Sequence, residues 1–392
     1  MNGARTNKGS ERARSILECL EGHRQAMVEM LVSLASKESP TDVVSSQAPV
    51  QEELSAALSE LGFRVRHVSG RETGGHLLAV PEHRVRGRPA QLLIGHSDTV
   101  WPLGTLESMP VVVENGFVRG PGTFDMKAGI VQGLFALRAL RALGYEPPAT
   151  PVFFINSDEE IGSPESKRSV RLIAKHVARA FVLEPALGPE GHLKTARKGV
   201  GHFTVRVTGK AAHAGLDPTG GVSAIHALSH VIQRLHALTD LERGITVNVG
   251  VIRGGTRGNV IAAEAAADVD VRVLTAADGE AIASTIRGLT PRTEGTSIEV
   301  EGGVAIPPME RTARNRGLWR AATEAAIRLG MDLTEEISGG GSDGNTTSLF
   351  TATLDGLGPR GDGAHARHEH VVIDSMVERA ALLGELLMSP IE

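Results

Sequence analysis

The stretch TPVFFINSDEE, residues 150–160, joins a strongly apolar segment to an unusual concentration of charge. Residues 152–155 are β-branched or aromatic, which predicts a buried strand. Three consecutive carboxylates, Asp158, Glu159 and Glu160, follow it directly. Ligands of α/β proteins bind at the carboxyl ends of such strands, and carboxylates crowded there need protons or metal ions beside them. The stretch therefore predicts an α/β fold with an ionic site at this strand end.

The composition is that of a globular protein with small-molecule partners. The chain has 392 residues, of which 41% are hydrophobic and 22% charged, and a single core stops growing at about 250 to 300 residues, so we expect more than one domain. The formal charge is -5 and the sequence has no Lys/Arg run, which argues against a nucleic-acid or membrane-surface partner. The sequence also has no apolar span of signal-peptide or transmembrane length, so we expect a cytoplasmic protein.

Cysteine usage limits the chemistry of any metal site. Cys19 is the only cysteine, so neither an internal disulfide nor a thiolate zinc site is possible. A metal ion must then be held by histidines and carboxylates.

Helical and strand periodicities alternate along both ends of the chain and predict one sheet flanked by helices. The predicted strands are 63–68, 76–80, 91–95, 152–155, 180–183 and 371–373, and the predicted helices are 15–36, 50–61, 130–143, 167–175 and 312–329. Ser375 and Glu378 fit a capping box that would begin a last helix. Between the two ends of the chain, in residues 199–304, the order of predicted elements changes to β-α-β-β-α-β, which is typical of a ferredoxin-like unit. We expect a discontinuous domain of residues 1–198 and 305–392, interrupted by an inserted domain of residues 199–304.

Potential metal ligands recur where predicted strands end. If the strands lie side by side, these groups converge on one edge of the sheet, and histidines with carboxylate oxygens suit zinc, manganese or cobalt. Each has a simpler interpretation alone, such as a helix cap for Asp125 or a turn residue for His365. The candidates are His96, Asp98, Asp125, Glu159, Glu160, Glu184, His365, His368 and His370.

Several motifs together resemble the M20 metallopeptidase family, especially its glutamate carboxypeptidase branch. They run in order from about residue 92 to the C-terminus: GHSDTVW, GPGTFDMKAG, NSDEEIGS, LEP, TARKG, GKAAHAG and GGGSDGN followed by GAHARHE. The resemblance implies a zinc-peptidase-like mixed sheet with an inserted lid and dimerisation domain, and a homodimer. It also implies two Zn²⁺ ions per subunit, which Co²⁺ or Mn²⁺ can replace.

The resemblance assigns a role to each candidate ligand. Asp125 would bridge both metal ions, and a cis peptide would follow it. The remaining ligands would be His96 and Glu184 for one ion, and Glu160 and His365 for the other. HARHEH departs from the family pattern of His, two spacers and Asp-Glu-Tyr, so His368 is an alternative to His365.

The same resemblance gives Glu159 and Asp98 catalytic roles. Glu159 would act as the general base toward a water held between the metal ions. Asp98 would accept the second N–H of His96 and fix its tautomer.

Residues of the inserted domain and its borders are candidates for substrate binding by the same resemblance. His213 would reach into the active site of the partner subunit and hydrogen-bond the developing oxyanion there, whereas alone it would be a surface residue. Asn259 and Arg272 would bind the free carboxylate of the substrate, although Arg272 could instead pair with Asp268 or Asp270. Further candidates are an anion-binding loop at Gly339, Gly340 and Gly341, for which a flexible hairpin is the simpler alternative, and Lys198 at the border of the inserted domain.

The expected function is hydrolysis of an amide bond next to a C-terminal amino acid with a free carboxylate. An N-acyl amino acid deacylase or aminoacylase, a dipeptidase and an acetylornithine-type deacetylase remain open, because all share this water attack. GGSDG around Ser342 also fits the GxSxG pattern of serine hydrolases, with Asp355 or Asp374 and a histidine of the 365–370 cluster. A non-catalytic binding protein is the last alternative.

Overall fold

The structure is a computed structural model that describes residues 2–391. The chain divides into two compact units. The first unit consists of Met1–Thr195, Arg311–Ile337 and Ser342–Glu392, and the second of Ala196–Glu310 and Ser338–Gly341. The second unit thus includes the predicted insertion, a few residues on either side of it, and a short piece of the glycine-rich loop.

Helices and strands alternate in the first part of the chain. The helices are α1 (Asn2–Gly22), α2 (Arg24–Ala35), α3 (Ala48–Glu60), α4 (Thr105–Ser108), α5 (Ala128–Ala142) and α6 (Lys167–Ala174). The strands are β1 (Phe63–Val68), β2 (His76–Pro81), β3 (Ala90–His96), β4 (Val112–Glu114), β5 (Phe117–Arg119), β6 (Thr150–Asn156), β7 (Arg179–Val182) and β8 (Leu193–Arg197). The helix predicted at 15–36 is therefore two helices, separated at His23.

The second unit and the returning chain supply the other elements. The second unit contains β9 (Gly199–Thr208), α7 (Ala224–His236), β10 (Thr246–Gly254), β11 (Glu264–Val273), α8 (Ala276–Arg287) and β12 (Ser297–Ile306). The returning chain forms α9 (Ala313–Leu329), β13 (Glu335–Ser338), α10 (Asp343–Thr347), β14 (Ala352–Leu354), β15 (Gly361–Asp362), β16 (His370–Val372) and α11 (Ile373–Leu387). Within residues 2–391, each helix is too short or too polar to cross a lipid bilayer.

A mixed six-stranded sheet organises the first unit, in the order β1-β2-β6-β3-β7-β14. Strands β6, β3, β7 and β14 are parallel to one another, whereas β2 runs antiparallel to both of its neighbours, β1 and β6. This architecture confirms the predicted α/β class with a mixed sheet flanked by helices.

Both faces of this sheet are covered, which explains why β6 is apolar along its whole length. Phe153 and Ile155 pack into a core that includes residues of α5 and α11. Val152 and Phe154 point to the other face, where Val170 of α6 packs. A strand buried on both faces reads as a continuous hydrophobic run. The prediction made from TPVFFIN is therefore confirmed, and its physical basis is burial on both sides.

Close packing of α5 on the sheet depends on a glycine. A Cβ atom at Gly129 would lie 1.9 Å from the carbonyl oxygen of Leu183, just beyond β7. Only glycine allows this approach. The first turn of α5 is thereby held against the strand end that leads to Glu184.

The second unit has the strand order of a ferredoxin-like fold. Its antiparallel sheet runs β10-β11-β9-β12, with α7 and α8 as the two crossover helices. Residues of β11 alternate between buried and half-buried positions, which is typical of an antiparallel sheet with one covered face. The β-α-β-β-α-β order predicted from the sequence is the order of these elements.

The predicted capping box at Ser375 is wrong. Helix α11 begins two residues earlier, at Ile373, and it has no side-chain cap. The Ser375 hydroxyl instead accepts the N–H of Arg360, at 2.7 Å. The serine matched the local pattern, but a distant backbone donor occupies its oxygen.

Candidate metal centre

The candidate ligands lie where three neighbouring parallel strands end. His96 is the last residue of β3, Glu159 and Glu160 lie in a short 3₁₀ turn after β6, and Glu184 follows β7 by two residues. Asp125 lies in the irregular turn Thr123–Lys127 that leads into α5. Carboxyl ends of adjacent parallel strands share one edge of a sheet. The order of the strands therefore gathers these residues.

His96 lies among three carboxylates. Its Nε2 atom is 3.2 Å from Asp125 Oδ1, 3.5 Å from Glu184 Oε1 and 3.9 Å from Glu159 Oε2. The imidazole itself is 1% exposed. A metal ion at this point would contact one nitrogen and three oxygen donors from four different parts of the chain.

His365 completes a second group of donors around the same aspartate. Its Nε2 atom is 3.0 Å from Glu160 Oε2 and 3.5 Å from Asp125 Oδ2. Asp125 thus directs one carboxylate oxygen toward each histidine, which is the geometry of a bridging ligand. His368 points elsewhere, with Nε2 3.5 Å from Asp362 Oδ2. The structure favours His365 over His368 as the candidate ligand.

The electrostatics of the cluster show an excess of negative charge. Burial and the neighbouring Glu184 carboxylate raise the pKa of Glu159 well above its usual value. Hydrogen bonds to Asp125 and Glu160 raise the pKa of His365 to about 10. Burial alone would raise the pKa of Asp125, but hydrogen bonds from the two histidines outweigh it and lower the pKa. The crowded carboxylates thus favour the protonated forms of Glu159 and His365, and the histidines stabilise the ionised form of Asp125.

The donor set fits divalent cations. The ligand atoms of His96, Glu159 and Glu184 lie within 4.8 Å of one another, as do those of His96, Asp125 and Glu160. Among the described residues, Glu160 Oε1 is also a buried atom with no hydrogen-bond partner. An orphaned carboxylate oxygen in a ring of nitrogen and oxygen donors suits a metal ion such as zinc, manganese or cobalt.

Asp98 supports His96 from behind. Nδ1 of His96 is 3.0 Å from the Asp98 backbone oxygen and 3.3 Å from its carboxylate Oδ1. The buried carboxylate also accepts the Thr41 hydroxyl at 2.8 Å and the Glu160 N–H at 3.2 Å. Asp98 therefore links the orientation of the imidazole to the turn that carries Glu160.

Glu369 is a residue whose role sequence reasoning missed. Its buried carboxylate accepts the N–H groups of Gly122, Phe124 and Asp125 and the indole N–H of Trp101, at 2.8 to 3.1 Å. The three backbone donors belong to the turn that presents Asp125, where the expected cis peptide to Met126 is present. In the sequence, the only signal for Glu369 was its position four residues after His365.

Lys127 is a second buried support of the same turn. Its ammonium group donates to the backbone oxygens of Leu34 and Lys37, at 3.1 and 2.9 Å. Burial lowers the pKa of Lys127 to about 7. The lysine ties the turn to the end of α2, and its burial could not be read from the polar motif DMK.

In the second unit, the structure brings His213 and Asn259 onto neighbouring segments. The Ala214 N–H donates to the Asn259 carbonyl at 3.0 Å, and both side chains are exposed. Nδ1 of His213 accepts the N–H groups of Gly215 and Leu216, each at 3.1 Å. A neutral His213 therefore carries its proton on Nε2 and presents an N–H donor.

Arg272 has the ion pair that the simpler interpretation predicted. Its guanidinium forms a two-pronged contact with Asp270, two residues away on β11, at 2.9 and 3.0 Å. In the glycine-rich loop, the carbonyls of Gly340 and Gly341 accept from Arg197, at 3.2 and 3.1 Å. The Lys198 N–H donates to the Ser338 carbonyl. Arg197 was another residue that sequence reasoning left without a role.

Ser342 has the contacts of a helix cap. Its hydroxyl donates to Asp355 Oδ2 at 2.6 Å and accepts the Gly344 N–H. With Asn345 it forms a capping box at the start of α10. Because these hydrogen bonds engage the Ser342 hydroxyl as the cap of α10, the structure does not favour Ser342 as a nucleophile.

Residues 92–389 match the sequence profile of Peptidase family M20/M25/M40. This chain belongs to that family. The resemblance inferred from the motifs is confirmed, and the M20 protein is an enzyme of the metallopeptidase and amidohydrolase type.

Characterised proteins with similar sequences and structures differ in the reactions that their names describe. Carboxypeptidase G2 from Pseudomonas sp. strain RS-16 is 28% identical over 98% of this chain and 94% of its own. Acetylornithine deacetylase from Myxococcus xanthus is 33% identical over 54% of this chain and 58% of its own. The crystal structure of aminopeptidase PepT from Bacillus cereus superposes with a TM-score of 0.79 at 23% identity, over 93% of this chain and 98% of that one.

Replacing Glu369 should destabilise the turn that presents Asp125. Glu369→Gln keeps the side-chain volume but turns an amide toward backbone N–H donors. We expect the free energy of unfolding of the metal-free protein to fall by about 3 kcal/mol, measured by urea denaturation. Calorimetric titration of the folded variant with Zn²⁺ should show weaker binding.

The control for this experiment is Glu38→Gln. Glu38 also accepts two backbone N–H groups, from Gly104 and Leu106, but it is only partly buried. Its replacement should cost less than about 1 kcal/mol. Equal losses from both variants would contradict a special role for Glu369.

Proposed function

We propose that this M20 protein hydrolyses the amide bond that joins an acyl or peptidyl group to a C-terminal amino acid with a free carboxylate. The observation that carries the proposal is the position of Asp125, whose two oxygens face His96 and His365 separately. Such an aspartate fits a pair of metal ions, and Glu159 lies beside it as a candidate base. Two-metal sites of this kind support hydrolysis.

The proposed ligands divide between two zinc ions, with Asp125 shared. His96 and Glu184 would complete one set, and Glu160 and His365 the other. When bound, the ions would polarise the scissile carbonyl and lower the pKa of water. The crowded carboxylates support this assignment, because two divalent cations would offset their mutual repulsion.

Glu159 is the proposed general base. It would take a proton from the attacking water as the water oxygen bonds to the carbonyl carbon. The C–N bond then breaks, and Glu159 returns the proton to the leaving amine. Its place near His96, and its backbone N–H directed at Asp98 at 3.4 Å, support this role. Asp98 would act through His96 by holding its tautomer.

The second unit is proposed as a lid that binds the substrate and a second subunit. His213 would donate from Nε2 to the oxyanion, a role that its Nδ1 contacts support. Residues proposed to hold the substrate carboxylate are Asn259, Arg272, Gly339, Gly340, Gly341 and Lys198.

The exposed edge of the lid sheet supports the proposed homodimer. Strand β10 lies at one end of the sheet order, and its Val251 and Ile252 are 44% and 64% exposed. An apolar edge strand is suited to pairing with another chain. The partner would then be a second copy of this protein.

A deacylase of N-acyl amino acids is the second candidate, and the similarity to acetylornithine deacetylase favours it. A dipeptidase would use the same groups. All three reactions share the bond broken and differ only in the acyl side. A binding protein without catalysis is not favoured, because the candidate base and ligands converge at one point.

A substrate panel tests the proposal. Purified protein with measured metal content is assayed for release of amino acids from N-acyl amino acids, dipeptides and acylated glutamate, aspartate and leucine. We expect hydrolysis that a chelator abolishes and zinc restores. Release confined to acetylated substrates would select the deacylase. Activity that resists the chelator and responds to serine-directed reagents would contradict the proposal.

Two substitutions separate the base from a ligand. Glu159→Ala should lower kcat by roughly a thousandfold and keep two metal ions per subunit, because the ligands remain. Asp125→Ala should lose metal as well as activity, since it removes the shared ligand. Glu190→Ala is the control, because this side chain is 68% exposed and should leave both properties unchanged. Near-normal turnover by Glu159→Ala would rule out the base assignment.

Mixed dimers test whether His213 serves the partner's site. His213→Ala and Glu159→Ala subunits are co-expressed with different tags, and the heterodimer is purified. One of its two sites would be intact, so we expect about half the activity of the wild-type dimer. Glu159→Ala with Asp125→Ala is the control, because both defects lie in the first unit and should give no recovery. No recovery in the first pair would place His213 outside the partner's site.

A further inference from the structure

The turn that carries Glu159 and Glu160 is clamped at both ends by a carboxylate from a distant part of the chain. Asp343 lies 187 residues after Asn156. Its Oδ2 accepts the amide of Asn156, and its Oδ1 accepts the hydroxyl of Ser163, both at 2.8 Å. Asn156 ends β6 before the turn, and Ser163 follows the turn. One side chain therefore closes the loop that holds the proposed base and a proposed ligand.

The clamp is itself held rigidly. Asp343 is the first residue of α10, directly after the Ser342 cap. The cap is fixed by Asp355, a fully buried carboxylate. Asp343 is 5% exposed, so water competes little for its oxygens. The position of the carboxylate is set by a capped helix rather than by a mobile loop.

A second buried carboxylate completes the framework of the turn. Asp158 accepts the N–H groups of Glu165 and Ser166 and the Ser166 hydroxyl, at 2.5 to 3.0 Å. The amide of Asn156 also reaches the Ser166 hydroxyl at 3.0 Å. Asp158 thus organises the end of the turn locally, whereas Asp343 joins its two ends.

The ionised form of Asp343 suits this role. Burial raises its pKa to about 6, although the bonds from Ser163 and Asn156 lower it. The carboxylate is then ionised at neutral pH and accepts from both neutral donors. A buried charge costs free energy unless hydrogen bonds or opposite charge compensate it, and both oxygens of Asp343 are hydrogen-bonded.

We propose that Asp343 is a positioning residue, which holds the 157–162 turn so that Glu159 and Glu160 keep their places during turnover. The role in turnover rests on the proposed function, whereas the clamp itself does not. Residues that orient catalytic groups typically change rate or metal affinity by roughly ten- to hundredfold when replaced.

Hydrogen exchange tests the clamp independently of activity. The N–H groups of Gly162 and Ser163 donate to the carbonyls of Glu159 and Asp158, at 2.7 and 2.8 Å. In Asp343→Ala we expect these amides to exchange about tenfold faster. Asp343→Asn should restore protection in part, because its amide oxygen can still accept one of the two hydrogen bonds from Asn156 and Ser163, whereas its NH2 group cannot accept the other. The exposed Asp332→Ala is the control. Unchanged exchange in Asp343→Ala would overturn the proposal.

Kinetics then test the consequence for catalysis, on a substrate from the panel. Asp343→Ala should lower kcat by roughly ten- to hundredfold, with KM within about twofold and two metal ions retained. Asp343→Asn should lie between Asp343→Ala and the wild type, because it keeps one of the two accepted hydrogen bonds. Equal impairment of both variants would overturn the clamp, because a variant that keeps one of the two hydrogen bonds should retain part of the rate. If Asp343→Ala had a normal kcat per folded molecule, Asp343 would stabilise the fold without a role in turnover, and the proposed positioning role would fail.

Two further results keep the test decisive. If Asp343→Ala does not fold, Ser163→Ala removes one of the two bonds and should show smaller changes in the same direction. Unchanged exchange there would count against the clamp. If wild-type protein hydrolyses none of the panel, the proposed function fails, while the exchange result still decides whether Asp343 holds the turn.

Discussion

Repulsion between carboxylates at one sheet edge is the constraint on which the first unit depends. Asp125, Glu159, Glu160 and Glu184 converge there around two histidines. Such an arrangement is unfavourable unless positive charge compensates it. Divalent cations are the simplest compensation for a donor set of imidazole nitrogens and carboxylate oxygens. The fold thus creates an electrostatic cost that binding of metal would relieve.

The surrounding structure keeps these groups in place through buried polar contacts. Glu369 gathers the backbone of the Asp125 turn, Lys127 ties that turn to α2, and Asp343 closes the turn of Glu159. Each of these groups is buried and hydrogen-bonded, as a buried polar side chain must be. The candidate ligands and the candidate base are therefore positioned by a second set of charged residues that lie outside the cluster itself.

The chemistry proposed for the family member separates into two tasks. The first unit contains the candidate ligands and base, and therefore the bond-breaking step that peptidases and deacylases share. The second unit contains His213, Asn259 and Arg272, which are proposed to recognise the substrate. Arg272 already pairs with Asp270, so a substrate carboxylate would share or replace that partner. The acyl group that the enzyme accepts depends on side chains that the shared catalytic groups do not specify.

Local sequence determined most of the secondary structure and the places of the candidate ligands along the chain. Hydrophobic periodicity predicted β6 and the β-α-β-β-α-β unit, because burial imposes a period on each element. His96, Glu159 and Glu184 were recognisable because they follow apolar strands. The capping box at Ser375 was wrong, and the supporting roles of Glu369, Lys127 and Asp343 were missed, for one reason. The sequence around a polar residue does not show whether its side chain hydrogen-bonds to water or to a distant part of the chain. Only tertiary packing decides which partner it has.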